Sequence, residues 1–118
     1  MARTNIAAQT LDGAYPTVAA DSLDITFSPG DNSNGNETTI SDGKTLLLVY
    51  NTDSSAHTFS ITSVADDFGR LGDITSYSVG AGEIAHYGPA KLKGWTHSGK
   101  LWIDCNSALV KFAVITLS

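Results

Sequence analysis

The segment 45-TLLLVYN-51 decides the fold class. Its five consecutive apolar residues, Leu46 to Tyr50, are too many for a half-exposed surface strand and too few for an isolated helix. Such a run cannot set its own period, so its flanks arbitrate. Both are turn clusters: Ser41-Asp42-Gly43-Lys44 before it and Asn51-Thr52-Asp53-Ser54-Ser55 after it. A central strand of a small β domain fits. Beyond the second turn His57 to Val64 alternates, with Phe59 and Ile61 on one face and Thr58, Ser60 and Thr62 on the other, the period of a half-buried strand. The two segments predict an antiparallel hairpin, to which the rest of the chain adds strands.

Working outward, Ser22 to Phe27 alternates (Leu23, Ile25 and Phe27 against Asp24 and Thr26) and reads as the domain's first strand, stopped by Pro29-Gly30-Asp31. Residues 30–37, GDNSNGNE, read as a polar surface loop, and Thr38 to Ile40 as a short strand. Downstream, Ile74 to Val79 places Ile74, Ser76 and Ser78 opposite Thr75, Tyr77 and Val79. Gly80 to Glu83 turns the chain, and Ile84 to Tyr87 ends at Gly88-Pro89. Lys100 to Cys105 turns Leu101, Ile103 and Cys105 inward and Trp102 and Asp104 outward, and Ala108 to Leu117 closes the domain. Seven or eight strands at this spacing, with no convincing helix, predict an all-β fold. The expected form is a single-domain antiparallel β-sandwich or jelly-roll-like barrel over residues 22–118. Residues 1–21 read as an extended N-terminal arm, because Gly13 and Pro16 forbid a long helix. Such an arm wraps its own domain or lies across a neighbour.

The chain has 118 residues, one domain's worth, and only 16% of them are charged, against the usual ~25%. A net charge of −5 without a basic cluster argues against nucleic acid as a partner. No apolar run long enough to span a bilayer occurs, so no membrane partner is expected, and Met1 to Asn5 lacks the apolar continuation of a signal peptide. The charge is uneven: residues 1–83 carry three basic and eleven acidic side chains, net −8, and residues 84–118 carry four basic and one acidic, net +3. Either lysines decorate exposed faces, or the subunit is dipolar and pairs with copies of itself or with another protein.

Catalytic patterns are missing from the sequence. His57, His86 and His97 lie in different elements without metal-ligand spacing, no GxSxG occurs, and Cys105 sits in a strand as a small hydrophobe. Asp66, Asp67 and Asp73 lack the ligand order of a calcium loop. Asn36-Glu37-Thr38 matches a glycosylation acceptor by pattern alone. No cofactor or metal is expected and the chain reads as a non-enzyme. The aromatic set Tyr77, Tyr87, Trp95 and Trp102 is the remaining candidate surface, as a subunit interface or a ligand platform; the plainer readings are Trp95 as a plug over the core and Trp102 as a satellite core covered by a loop.

The stretches 4-TNIAAQTLDGAY-15, 61-ITSVADDFGRLGDITSYSVGAGEIAHYGP-89 and 111-KFAVITL-117 resemble a group of small proteins from the structural gene clusters of tailed bacteriophages and prophages. That resemblance implies a capsid decoration (cement) or head-associated protein of the virion, assembled in the host cytoplasm. It would bind the major capsid protein as a homo-oligomer, a trimer by analogy with decoration proteins. By the same analogy Ile6, Ala7, Ala8, Leu11 and Tyr15 are arm residues contacting a neighbour. The alternative is a carbohydrate or host-surface binding module of a phage fibre, using Trp95 or Trp102.

Overall fold

The computed structural model describes residues 3–10, 24–65, 68–69 and 71–117. Among them eleven strands form: β1 (Thr4–Asn5), β2 (Ala8–Thr10), β3 (Ser28–Pro29), β4 (Asn36–Thr39), β5 (Thr45–Asn51), β6 (His57–Ile61), β7 (Ile74–Val79), β8 (Ile84–Ala90), β9 (Thr96–His97), β10 (Lys100–Cys105) and β11 (Val110–Thr116). They make two stacked sheets. One has the order β1-β4-β10-β6-β7, with β9 also on β10; the other has the order β2-β11-β5-β8, with β3 also on β11. The all-β, two-layer class is therefore as the alternation requires. The pairing is mixed, because β1 joins β4 and β2 joins β11 in parallel.

The core lies between the sheets. Leu47 and Val49 of β5, with Val110, Phe112 and Val114 of β11, face Phe59 and Ile61 of β6 and Leu101 and Ile103 of β10. All nine are 3% exposed or less. On the other side of β11, Ala113 and Ile115 are buried as well, so this sheet is apolar on both faces. That explains why 45-TLLLVYN-51 does not alternate.

Four expectations need correction. First, β5 and β6 are not a hairpin. β5 pairs with β11 and β8, whereas β6 pairs with β10 and β7 in the opposite sheet. Alternation states which face is buried and not which sheet a strand joins. Both strands aim their apolar faces at one interior, and the turn between them crosses it. Second, Asp24 to Phe27 forms no ladder, and Ile25 is 44% exposed; Ser22 and Leu23 lie outside the described residues. The β11 edge beside this segment is already held by β2 at Val114 to Thr116. The Gln9 side chain ties the segment down by accepting from the Thr26 N–H (3.0 Å) and donating to its carbonyl (2.6 Å). The Phe27 ring then lies edge-on to Tyr50, centroids 5.5 Å apart.

Third, Ile74 and Val79 share a face despite their odd separation. Ser76, at φ 48°, inserts an extra residue opposite the span Phe59–Ile61, and this bulge returns Ile74 to the core side. Likewise β8 does not stop at Gly88 but continues through Pro89 to Ala90, with a register shift opposite Thr45 and Leu47. Pro89 is tolerated because β8 is an edge strand.

Fourth, the arm belongs to this domain from its first described residues. β1 extends one sheet and β2 the other, and between them Ile6, 3% exposed, drops into the core. Ile6 is thus not free to contact a neighbour, because its side chain is spent closing one side of the sandwich. Ala7 and Ala8 are exposed; Leu11 and Tyr15 lie outside the described residues.

Candidate functional site

The four aromatic residues separate into three situations. Trp102 projects from the outer face of β10 as its register requires, but its ring is not bare. The His97 imidazole stacks on it, centroids 3.7 Å apart and planes 6° apart, and the Arg3 guanidinium carbon lies 4.5 Å from its centroid. Arg3 is itself fixed by a forked contact to Asp104, Nη1–Oδ1 3.0 Å and Nη2–Oδ2 3.3 Å. The surface that sequence reading assigns to a ligand or subunit is occupied by this chain's own arm and by β9. Trp95 and Tyr87 pack together, centroids 5.3 Å apart, against the core. Burial pushes the Tyr87 phenol up to about 12. Trp95 is the plug that the plainer reading expects. Only Tyr77 stays open, at 55% exposure, with its ring 5.6 Å from Phe59.

Tyr77 lines a concavity. The side closed by Ile6 has an opposite, where β7 and β8 are the edges of their respective sheets and, among the described residues, no strand bridges them. The turn Gly80–Glu83 joins these edges at one end, and a cleft of about 570 Å³ opens along the rest. Phe59, Val79 and Ala85 form its floor, Tyr77 and Ile84 its lips, with Ile74 alongside; Ser78, Glu83 and His86 supply the polar atoms. Ile84 is 59% exposed, so two large apolar side chains lining this cleft also face solvent. The Glu83 Oε1 accepts the Gly80 N–H at 2.9 Å, which fixes the carboxylate at the rim. Sequence reading found Tyr77 but not its cleft partners, because Ile84, Glu83 and Phe59 come together only through sheet order.

Asn51 holds this side in place. It is fully buried at the end of β5. Its Nδ2 donates to the carbonyls of Ser55 (2.8 Å), Val79 (2.9 Å) and Gly80 (3.3 Å), and its Oδ1 accepts the Asp53 N–H (3.0 Å). Its backbone receives the Gly82 N–H and donates to the Glu83 carbonyl. One side chain thus ties the β5–β6 crossing to the turn that carries Glu83.

Among the described residues the candidate catalytic groups do not assemble. The histidines stay apart: His57 bonds Asp53 at 2.7 Å, His97 stacks on Trp102 and contacts the Thr62 carbonyl, and His86 lies by the cleft. The His57 contact holds the Asp53 carboxyl below its usual range. Ser63 and Asp73 are neighbours, with the Ser63 hydroxyl donating to the carboxylate at 2.6 Å, but Ser63 is buried and its oxygen also accepts the Gly72 N–H at 2.8 Å, so the pair ties a loop together. Burial pushes the Cys105 thiol up, away from the reactive thiolate. Among the described residues no group of three or more His, Cys, Asp and Glu gathers as a metal site. Asp66 and Asp67 lie outside them.

Asp31 organises the loop beside the arm. Its carboxylate accepts the Thr4 hydroxyl (2.5 Å), the Ser33 and Asn34 N–H groups (3.1 and 3.0 Å) and the Asn34 amide (3.3 Å). The Thr4 bond first, then the Asn34 N–H, lowers its pKa to about 2. A carboxyl held lower in the folded state stabilises fully above its unfolded pKa, and that contribution fades as pH falls through the folded value. Stability therefore drops between about pH 4 and pH 2. Asp31→Asn flattens that part of the profile, as read by urea unfolding at a series of pH values.

Compared with protein-family models, with curated proteins and with solved structures, the chain finds no match.

Proposed function

We propose that this domain is a structural, non-enzymatic part of a tailed-phage virion, a decoration or head-associated protein that binds its neighbours through the β7/β8 cleft. The observation that carries the reading is the cleft itself. Tyr77 and Ile84 are exposed around an apolar floor, on the side of the sandwich that the arm does not close. Large apolar groups rimming a concavity are the mark of a contact surface. The resemblance of the three quoted segments supports the virion setting, with the major capsid protein as partner and many copies making modest contacts sufficient together. The sugar-platform alternative is not favoured, because Trp102 is covered by His97 and Arg3 and Trp95 by Tyr87.

The test is to purify particles of the encoding phage on a density gradient and quantify this chain by mass spectrometry. The expected result is a fixed ratio to the major capsid protein, reduced at least tenfold by Ile84→Glu. Since Ile84 is mostly exposed, that change leaves stability within about 0.5 kcal/mol. Absence of the wild-type chain from the particles overturns the proposal.

A further inference from the structure

We propose that the cleft receives the Lys91-Leu92-Lys93 turn of a second copy of this chain, with Leu92 between Tyr77 and Ile84 and Lys91 beside Glu83. This rests on the reading of the cleft as a protein-binding surface and adds the partner. The turn follows directly on the end of β8. Its backbone is pinned, because the Leu92 N–H donates to Asp42 Oδ1 at 2.9 Å and its carbonyl accepts the Thr96 hydroxyl at 2.8 Å. Its side chain is nevertheless 41% exposed, flanked by two exposed lysines, with Lys44 in the adjoining turn. A large apolar residue is thus exposed on a pinned backbone, with Lys91 and Lys44 close to it in the chain fold and one carboxylate, Asp42, turned to its backbone.

The cleft complements this turn in polarity and charge. It is concave, apolar in its floor and lips, and its carboxylate is Glu83, fixed at the rim by Gly80. At about 570 Å³ it has room for a leucine and the aliphatic stems of the lysines beside it. The charge split along the sequence puts Glu83 at the end of the acidic stretch and the turn within the basic one. Polarity and charge therefore complement each other between two surfaces of the same molecule.

An incoming side-chain knob fits better than an added strand. The β7 edge is interrupted by the bulge at Ser76, and the β8 edge by Pro89, which has no N–H to offer. Within one copy Ala85 and Leu92 are separated by roughly 20 Å of extended chain, so the turn does not reach its own cleft. The contact is heterologous: each copy offers its turn to one neighbour and its cleft to another, closing as a ring or continuing as a filament.

The test is sedimentation velocity of the full chain over a concentration series. Wild type associates, and Glu83→Lys and Lys91→Glu each weaken association about tenfold or more. An equimolar mixture of the two variants regains it, because every cleft then meets a turn of opposite charge. Glu83→Gln keeps an acceptor for the Gly80 N–H and still weakens association, which separates charge from turn stability. A wild-type chain that is monomeric at every concentration overturns the proposal. So does a variant mixture that stays dissociated, or association that Ile84→Glu abolishes but the charge changes leave alone, which would indicate strand addition or another mode. A monomer that still enters particles overturns this contact and leaves the virion reading standing; an associating chain absent from particles does the reverse.

Discussion

Replacing Asn51 with alanine lowers the unfolding free energy by about 3 kcal/mol in urea titration, and replacing it with aspartate lowers it further. Alanine leaves the carbonyls of Ser55, Val79 and Gly80 and the N–H of Asp53 without the partners that Asn51 gives them. The Val79 carbonyl is buried and keeps its desolvation cost without a compensating bond, while the part-buried groups of Ser55, Gly80 and Asp53 regain water only in part. Aspartate is nearly isosteric, so packing is conserved, but it offers no N–H and points a carboxylate at three carbonyl oxygens. The order wild type, alanine, aspartate therefore separates hydrogen bonding from shape; a purely steric role would rank aspartate close to wild type. The pH dependence supplies a second reading. The aspartate variant recovers stability on acidification, because protonation removes the charge and restores a donor, and its folded-state pKa is raised above the ordinary value. Since Asn51 also fixes the turn carrying Glu83, either change loosens the cleft, and Ile84 and Tyr77 become more accessible to an apolar dye.

That position also shows how far the sequence reaches. Alternation correctly placed Phe59 and Ile61, and Leu101 and Ile103, on buried faces, because a half-buried strand imposes period two on its own residues. It placed Trp102 outward as well, and the structure agrees. What it could not state is the partner across the space. The imidazole over Trp102 comes from β9 and the guanidinium from the arm, so a residue that looks bare along β10 is covered. Asn51 reads as one polar residue in a turn cluster, and nothing local distinguishes an exposed turn asparagine from one that ties two sheets together. The cleft is less legible still. Ile74 lies on the core side only because of an extra residue at Ser76, and Ile84 and Tyr77 line one cleft only because β7 and β8 end their sheets on the same side. These are consequences of sheet order, which a period does not encode.

The arm carries the other large effect. Ile6→Ala destabilises the domain by about 2–4 kcal/mol, the cost of emptying a packed β-branched position, while Ile6→Val costs about 1 kcal/mol. Ile6 is 3% exposed in the same core as Phe112 and Ile103, so truncation removes its transfer energy and leaves a cavity between the sheets. Deleting residues 1–10 goes further. It removes β1 and β2 together with the Thr4–Asp31 and Arg3–Asp104 contacts, and uncovers the edges of β4 and β11. Two open edges beside a core opening are a template for intermolecular pairing, so the truncated chain aggregates on refolding. The discriminating measurement is the concentration dependence of unfolding. If the arm reached across to a neighbour, Ile6→Ala would lower stability only at protein concentrations where the assembly holds, and the loss would fade on dilution. Because Ile6 is spent inside its own subunit, its cost in urea is the same at every concentration, and the ratio of the alanine to the valine effect follows the volume removed. A destabilisation that vanishes on dilution would place Ile6 between subunits and return the arm to the role its resemblance implies.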